Sequence, residues 1–489
     1  MSESKWFRRL TIAFLLLLFA VNIYRAWTQA ITTDEAFSFA NFPAVRPINL
    51  FHSYGTSYHV LHTMLVFLSV QIFGLSEFTL RLPSVLACAL YFAAVYCISR
   101  FLFGVTPMLL LSAAVLTLNP LLLDHMSVAR GYGMGLAFFS CAFYQALLYK
   151  ESPRKDRILF RVAIFQALSV AANLTFLFPS LALTIVLAAI VIGDRSSGGS
   201  IAQRTWRVVD NLAGPWLVTA FLFLALPLSH IPPRSFSGYM EAGSARAMVD
   251  SLLGPSLHYR DCDLNESPAC IYPILYGIGF RAAQILSVAC VAAIVILLWK
   301  RREIDASPGL LVAGTLSLTI VFVLLGSAVF LWSYPWVRTA LFFLFLVPVC
   351  LLVAGRWLWS LGPRARPAAW LWSAGLFALV VITALEFDTR YYIEWRFDAG
   401  DREIIQRIVS MHGAGNQPAR IAAGFPLSWS MNLYRQMYRL AWLEPVELKQ
   451  PEKGYDYYVL RHDDAHFIHE LGLRTVYVHQ LSGAILATP

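Results

Sequence analysis

The sequence predicts a polytopic α-helical membrane protein of about eleven transmembrane helices, with an interfacial helix in its first outer loop and a small C-terminal α/β domain. Three observations carry that prediction. Of 489 residues, 58% are hydrophobic and only 14% are charged, where a soluble globular chain carries roughly a quarter charged. Apolar runs of about 20 residues, the length that crosses a bilayer, recur through most of the chain. After Glu386 the composition turns soluble.

The runs fall near 8–28, 83–101, 105–124, 132–150, 158–176, 177–193, 212–230, 272–299, 309–331, 339–355 and 368–386. The first has a basic start (Lys5, Arg8, Arg9) like that of a signal peptide, but no small-x-small cleavage site follows it, so it reads as an uncleaved span. The segment 59–74 is apolar but short, and it holds His59, His62 and Gln71. Parity decides its placement. If 59–74 does not cross, the clusters Lys150–Arg161, Arg195–Arg207, Lys300–Arg302 and Arg356–Arg366 all share the side of the basic N-terminus, as the positive-inside rule expects. It is therefore predicted to lie at the outer interface.

The formal net charge of +9 follows the same topology: basic residues sit in short clusters between spans rather than in one patch, so no nucleic-acid partner is implied. The expected frame is a plasma (inner) membrane protein with its N-terminus in the cytoplasm. Residues 29–82, the lid-like loop 230–271 and the tail 387–489 face the other side. Loop 230–271 carries one short helix near 242–253, together with Cys262 and Cys270, which can pair if that compartment is oxidising. The other five cysteines lie in apolar runs and form no metal motif. In the tail, helix-like stretches (399–411, 427–440, 464–471) alternate with strand-like ones (419–423, 455–460, 474–479), which predicts a small α/β fold. No phosphate-binding glycine loop appears in it.

Ionisable residues collect at one depth, the outer ends of the spans. Asp34 and Glu35 follow the first span, Asp124 and His125 end the third, Arg130 and Tyr132 open the fourth, and Arg338 opens the tenth. Charge at a membrane edge is costly and points to function, although Asp34 and Glu35 equally suit a helix N-terminus and Arg130 can pair structurally with Asp124. Arginine forks match phosphate, and a carboxylate can take a proton from an acceptor hydroxyl. The set fits transfer of a group from a lipid phosphate. His59 and His62, one helical face apart, could with Asp34 or Glu35 hold a divalent metal or contact an acceptor; polar packing is the plainer reading.

At these residues the chain resembles the GT-C glycosyltransferases, the group that includes protein O-mannosyltransferases, ArnT-like lipid A aminoarabinose transferases and dolichyl-phosphate-mannose-transferase-like proteins. The resemblance rests on Thr33-Asp34-Glu35-Ala36, on His59 through Phe73-Gly74-Leu75-Ser76-Glu77 and Leu80-Arg81-Leu82-Pro83-Ser84, and on Ala129-Arg130-Gly131-Tyr132. It covers roughly 8–390 in layout and is specific over 31–84 and 124–133. It implies a transmembrane catalytic domain over 1–386, a polyprenyl-phosphate sugar donor, a glycan, lipid or protein acceptor, an active site outside the cytoplasm and inversion at the anomeric carbon. It makes Asp34 the catalytic base, with Glu35 and Asp124 as further acidic site residues. Arg130 and Tyr132 match an Arg-x-Tyr pattern; with Arg338 and Arg81 they are the expected donor-phosphate ligands. Where many relatives have Pro-Pro-Leu, this chain has Ser57-Tyr58-His59-Val60-Leu61, a departure that bears on the acceptor. A transporter or flippase of a lipid-linked sugar would share the arginines, but no inverted repeat is evident.

Overall fold

The computed structural model describes residues 3–41, 58–149, 151–152, 155–194, 199–230, 243–257, 306–330, 332–413 and 417–489, with isolated helical residues at 285, 288–289 and 291–295. The bundle is built from α1 (Glu3–Thr28), α4 (Glu77–Phe103), α5 (Pro107–Thr117), α6 (Pro120–His125), α7 (Gly131–Leu147), α8 (Lys155–Ala172), α9 (Leu177–Gly193), α10 (Ile201–Val208) and α11 (Gly214–His230), then α13 (Ala306–Phe330), α14 (Phe343–Ser360) and α15 (Arg366–Glu386). Two short helices, α2 (Thr33–Asn41) and α3 (Val60–Phe73), lie between α1 and α4, and α12 (Ala245–Leu257) follows α11. The protein is a polytopic helical membrane protein: among the described residues, seven helical stretches are long and apolar enough to cross a bilayer. The expected span at 272–299 lies almost wholly outside the described residues, as do Cys262, Cys270 and most of the 230–271 loop. Its expected helix is present as α12.

The head end of the bundle, where α1 finishes, holds everything that follows. Arg81, in the first turns of α4, donates to the carbonyls of Ala26 and Gln29 at 3.1 and 2.8 Å. The end of α1 and the start of α4 therefore lie side by side, and the short helix between them in the chain is α3. With 14 residues it is about 21 Å long, too short for a hydrocarbon core of about 30 Å. That length fits the expected non-crossing of 59–74.

The expected single span over 105–124 is broken. Asn119 stops it: its Oδ1 accepts from the Leu122 N–H at 3.1 Å, and Pro120 starts a new helix at its first position. The tail matches its expected helices and strands to within a few residues and adds a strand that sequence reading missed. β1 (Ile421–Ala423), β2 (Tyr457–Leu460), β3 (Arg474–Val478) and β4 (Ile485–Thr488) form one sheet in the order β1-β2-β4-β3, parallel between β1 and β2 and antiparallel elsewhere. β4 is four apolar-rich residues at the chain's end, too short to show a period, yet it fills the sheet's interior.

The tail does not dangle. Its helices α16 (Asp401–His412) and α17 (Leu427–Met437) share a core with Ile31, Ala36 and Phe39 around α2, Val66 of α3, Leu80 of α4 and Ala129. Arg402 of α16 reaches Glu77 at 2.6 Å and the Trp27 carbonyl at 3.1 Å. The soluble domain is thereby seated on the head end of the bundle.

Candidate active site

Thr32 begins the site by capping α2. Its N–H donates to Glu35 Oε2 at 2.9 Å, and its hydroxyl accepts from the Glu35 N–H at 3.2 Å, a reciprocal capping box. Glu35 has no capacity left over. Oε1 accepts from Arg81 Nε at 2.8 Å and from the Ala129 N–H at 2.6 Å; Oε2 also accepts from Arg81 Nη2 at 2.7 Å. A carboxylate offers about four acceptor positions, and here all are taken. Arg81 is equally committed. Besides Glu35 it donates to the carbonyls of Ala26, Gln29 and Ala30, which exhausts a guanidinium's five donors. Arg81 therefore has no donor for a phosphate in this arrangement.

Asp124 is also enclosed, but its partner is Arg25, not Arg130. Both side chains are fully buried and paired with one another, and Asp124 Oδ2 accepts from the Ile393 N–H at 2.7 Å. Sequence reading placed Arg25 within the first span and missed it. The pair ties α1, α6 and the segment after α15 together.

Asp34 is different. It stands in the first turn of α2, and its side chain keeps 27% of its exposure. Arg338 Nη2 lies 2.9 Å from its Oδ2, and Arg130 Nη2 lies 3.9 Å away. Burial pushes the Asp34 carboxyl up, but Arg338, then Arg130, and a hydrogen bond from Trp395 hold it below its ordinary value. Arg130 also donates to the Asp34 carbonyl at 3.3 Å and to the Ser38 hydroxyl, and its Nε has no hydrogen-bond partner among the described residues.

Arg338 is aimed by an unusual turn. Val337 has φ 44°, a left-handed backbone that a β-branched residue rarely adopts. Its N–H is held by the Ser251 hydroxyl of α12 at 2.9 Å. The rest of the site comes from the stretch joining α15 to the tail, which sequence reading did not single out. Glu394 accepts from Arg338 Nη1 at 3.0 Å, and its other oxygen meets His125 Nε2 at 2.8 Å. The Arg338 guanidinium lies 5.5 Å from the Trp395 ring centre.

Tyr132 stands between the two histidine rings, 4.8 Å from His59 and 5.3 Å from His125. Two glycines permit this approach. A Cβ on Gly131 would lie 2.1 Å from the Ala172 carbonyl oxygen and 2.7 Å from His59 Cβ; one on Gly133 would lie 2.2 Å from the His125 carbonyl oxygen. Backbone cannot yield that far cheaply, so Gly131→Ala is expected to destabilise the protein by about 1–3 kcal/mol, read as a lower melting temperature in detergent. His59 and His62 diverge, since His62 Nε2 bonds the Ser84 hydroxyl at 3.0 Å. With Glu35 saturated, these residues do not fit a metal, and no cluster of three His, Cys, Asp or Glu side chains arranged for one is present among the described residues.

Under α2 the tail supplies a second anchor. Asp398 accepts from the N–H and hydroxyl of Thr33, at 2.6 and 2.8 Å. Burial pushes its carboxyl up to about 8, against those hydrogen bonds. Burial and the charge of Asp398 raise its neighbour Asp401 as well, which accepts from the Ser430 hydroxyl. A carboxyl that holds its proton more tightly when folded contributes stability that is fully present below its unfolded pKa and lost as pH rises through the folded value. Melting temperature is therefore expected to fall between pH 5 and pH 8, and less steeply in Asp401→Asn, which mimics the protonated acid; thermal unfolding at the two pH values checks this.

The fold and this head-end constellation define a class: a helical membrane protein with two arginines around one partly open carboxylate, closed over by a small α/β domain. No family model and no curated protein sequence matches the chain. Among solved structures it is similar to ArnT from Cupriavidus metallidurans in the apo state, with 13% identity over 99% of this chain and 98% of that one at a TM-score of 0.44. The same protein bound to undecaprenyl phosphate gives 14% identity, the same coverage and a TM-score of 0.41. The archaeal oligosaccharyltransferase AglB from Archaeoglobus fulgidus, in complex with an inhibitory peptide and a dolichol-phosphate, gives 10% identity over 94% of this chain and 70% of that one, with a TM-score of 0.47.

Proposed function

We propose that this protein is a glycosyltransferase of the membrane that moves a sugar from a polyprenyl-phosphate donor to an acceptor hydroxyl on a glycan, lipid or protein. One observation carries the reading. Of the three acidic residues expected in the site, Glu35 and Asp124 are spent on buried partners, while Asp34 remains partly open between Arg338 and Arg130.

In this reading the transmembrane portion, residues 1–386, does the chemistry on the side of the membrane away from the cytoplasmic N-terminus, and the tail 387–489 covers it. The lipid tail stays in the bilayer and the phosphate reaches Arg338 and Arg130, whose planar forks suit it. The acceptor oxygen attacks the anomeric carbon from the face opposite the phosphate. That bond forms as the carbon–oxygen bond to phosphate breaks, Asp34 takes the acceptor's proton, and the configuration inverts. The lipid phosphate leaves with its charge held by the arginines.

Asp34 held low by two cations is ionised and ready, but weakly basic. When a phosphate takes over the arginines, Asp34 loses much of that stabilisation and its basicity rises. Trp395 donates to Asp34, and Tyr132 lies near Arg130 with His59 against its ring. Glu35, Arg81, Asp124 and Arg25 form the frame, and no step is assigned to a metal.

The test is incubation of purified protein with a panel of polyprenyl-phosphate sugars. Release of free polyprenyl phosphate with at least one of them is expected. Intact donors across the whole panel, with acceptors of all three classes present, argue against the reading.

A further inference from the structure

Both terminal nitrogens of Arg338 face carboxylates. One end of its fork meets Glu394 Oε1 at 3.0 Å, and the other meets Asp34 Oδ2 at 2.9 Å. A phosphate can take an end of the fork only if the carboxylate on that end lets go. The two carboxylates are not equal in this respect. Asp34, released by Arg338, keeps the neutral Trp395 donor and, of the cations, the longer 3.9 Å approach of Arg130. Glu394 keeps a close partner, because its second oxygen is already bonded to His125 Nε2 at 2.8 Å. Both members of that pair are enclosed: the His125 side chain is fully buried and Glu394 is 8% exposed. Burial raises the Glu394 carboxyl, while Arg338 and the His125 hydrogen bond hold it below its ordinary value, so it is an anion at neutral pH.

We propose that Glu394 is the resident anion of the donor-phosphate seat: it occupies Arg338 in the ligand-free protein, swings its load to His125 when a phosphate arrives, and returns to displace the lipid-phosphate product. The proposal rests on the donor-phosphate reading of Arg338. It makes a residue of the segment joining the last span to the tail a determinant of donor affinity and product release. A buried guanidinium with an unpaired end is costly; Glu394 holds the end of Arg338 that Asp34 does not. It also makes affinity a difference between two anions on one arginine, so binding to Arg338 is weaker than an unoccupied fork would give.

The test uses the full chain in nanodiscs and equilibrium binding of radiolabelled farnesyl phosphate, a short polyprenyl monophosphate. Arg338→Gln is expected to weaken binding at least tenfold. Glu394→Gln, which keeps the shape and removes the competing charge, is expected to tighten it about tenfold, the worth of one charge-assisted hydrogen bond. His125→Phe removes the alternative partner and should weaken binding, but should have no effect when added to Glu394→Gln. If wild type and Arg338→Gln bind alike, the donor-phosphate reading fails. If Arg338→Gln loses binding while Glu394→Gln binds no tighter than wild type, or His125→Phe weakens binding equally in both backgrounds, that reading stands and the exchange is overturned.

Discussion

Asp34→Asn is expected to lower turnover by about 10²–10⁴-fold, the usual worth of a general base, with little change in yield or melting temperature. The side chain is partly open and its removal orphans no buried N–H: the Thr33 and Glu35 amides are satisfied by Asp398 and Thr32. Asparagine matches the shape of aspartate and can still accept from Trp395, but it cannot take a proton. Donor KM should hold or fall, because one anion competing for Arg338 and Arg130 is gone. The loss therefore belongs in kcat. In the wild type, the arginines that depress the Asp34 pKa place the acid limb of the pH–rate profile below the ordinary aspartate range, as long as the phosphate is not bound. Steady-state kinetics at several pH values read both effects.

Arg81→Met has the largest expected effect on stability. The side chain is fully buried, and losing it leaves Glu35 buried with only two backbone amides and removes a donor from three carbonyls, of which that of Gln29 keeps another in Arg402. Breaking one partner out of a buried pair typically costs about 3–5 kcal/mol, a large share of a domain's net stability. Little monodisperse protein should be recovered. Adding Glu35→Gln should restore part of the yield, since the stranded charge is then gone. A double variant no better than Arg81→Met would mean that the lost carbonyl partners, rather than the buried charge, dominate. Yield and melting temperature of the three variants in detergent check the result.

These outcomes differ because the acidic and basic residues at the head end look alike in sequence but are not alike in place. Their depth was legible. Apolar runs fix where spans end, and Asp34, Asp124, Arg130 and Arg338 all fall at those ends. The parity of basic clusters also set the expectation that α3 does not cross, which its 14-residue length fits. Pairing was not legible, because it is set by helix packing between distant positions. Arg81 reaches Glu35 across 46 residues, and Arg25 reaches Asp124 across 99. No local pattern says that Asp124 belongs to Arg25 rather than to Arg130.

Glu394 and Trp395 show the same limit from the other direction. They lie beyond the last span, in what reads as the start of a soluble tail. Only the aromatic density of Tyr391-Tyr392-Ile393-Glu394-Trp395 beside a span end hinted at them, since such rings favour a membrane interface. The hint says where the segment lies, not that its carboxylate faces Arg338. The break at Asn119-Pro120 was read through as one span over 105–124, although a proline after a capping asparagine is a local helix-start signal.

The central claim is that the bond between sugar and lipid phosphate breaks beside Asp34. The most direct measurement reconstitutes wild type and Asp34→Asn in proteoliposomes with a polyprenyl-phosphate sugar that the wild type accepts, and follows both that bond and the leaflet the lipid occupies. Cleavage of the bond by wild type, with the sugar appearing on the acceptor and Asp34→Asn failing to cleave, is the predicted result. Movement of the intact lipid-linked sugar between leaflets, equal in both proteins and with no cleavage, would contradict it.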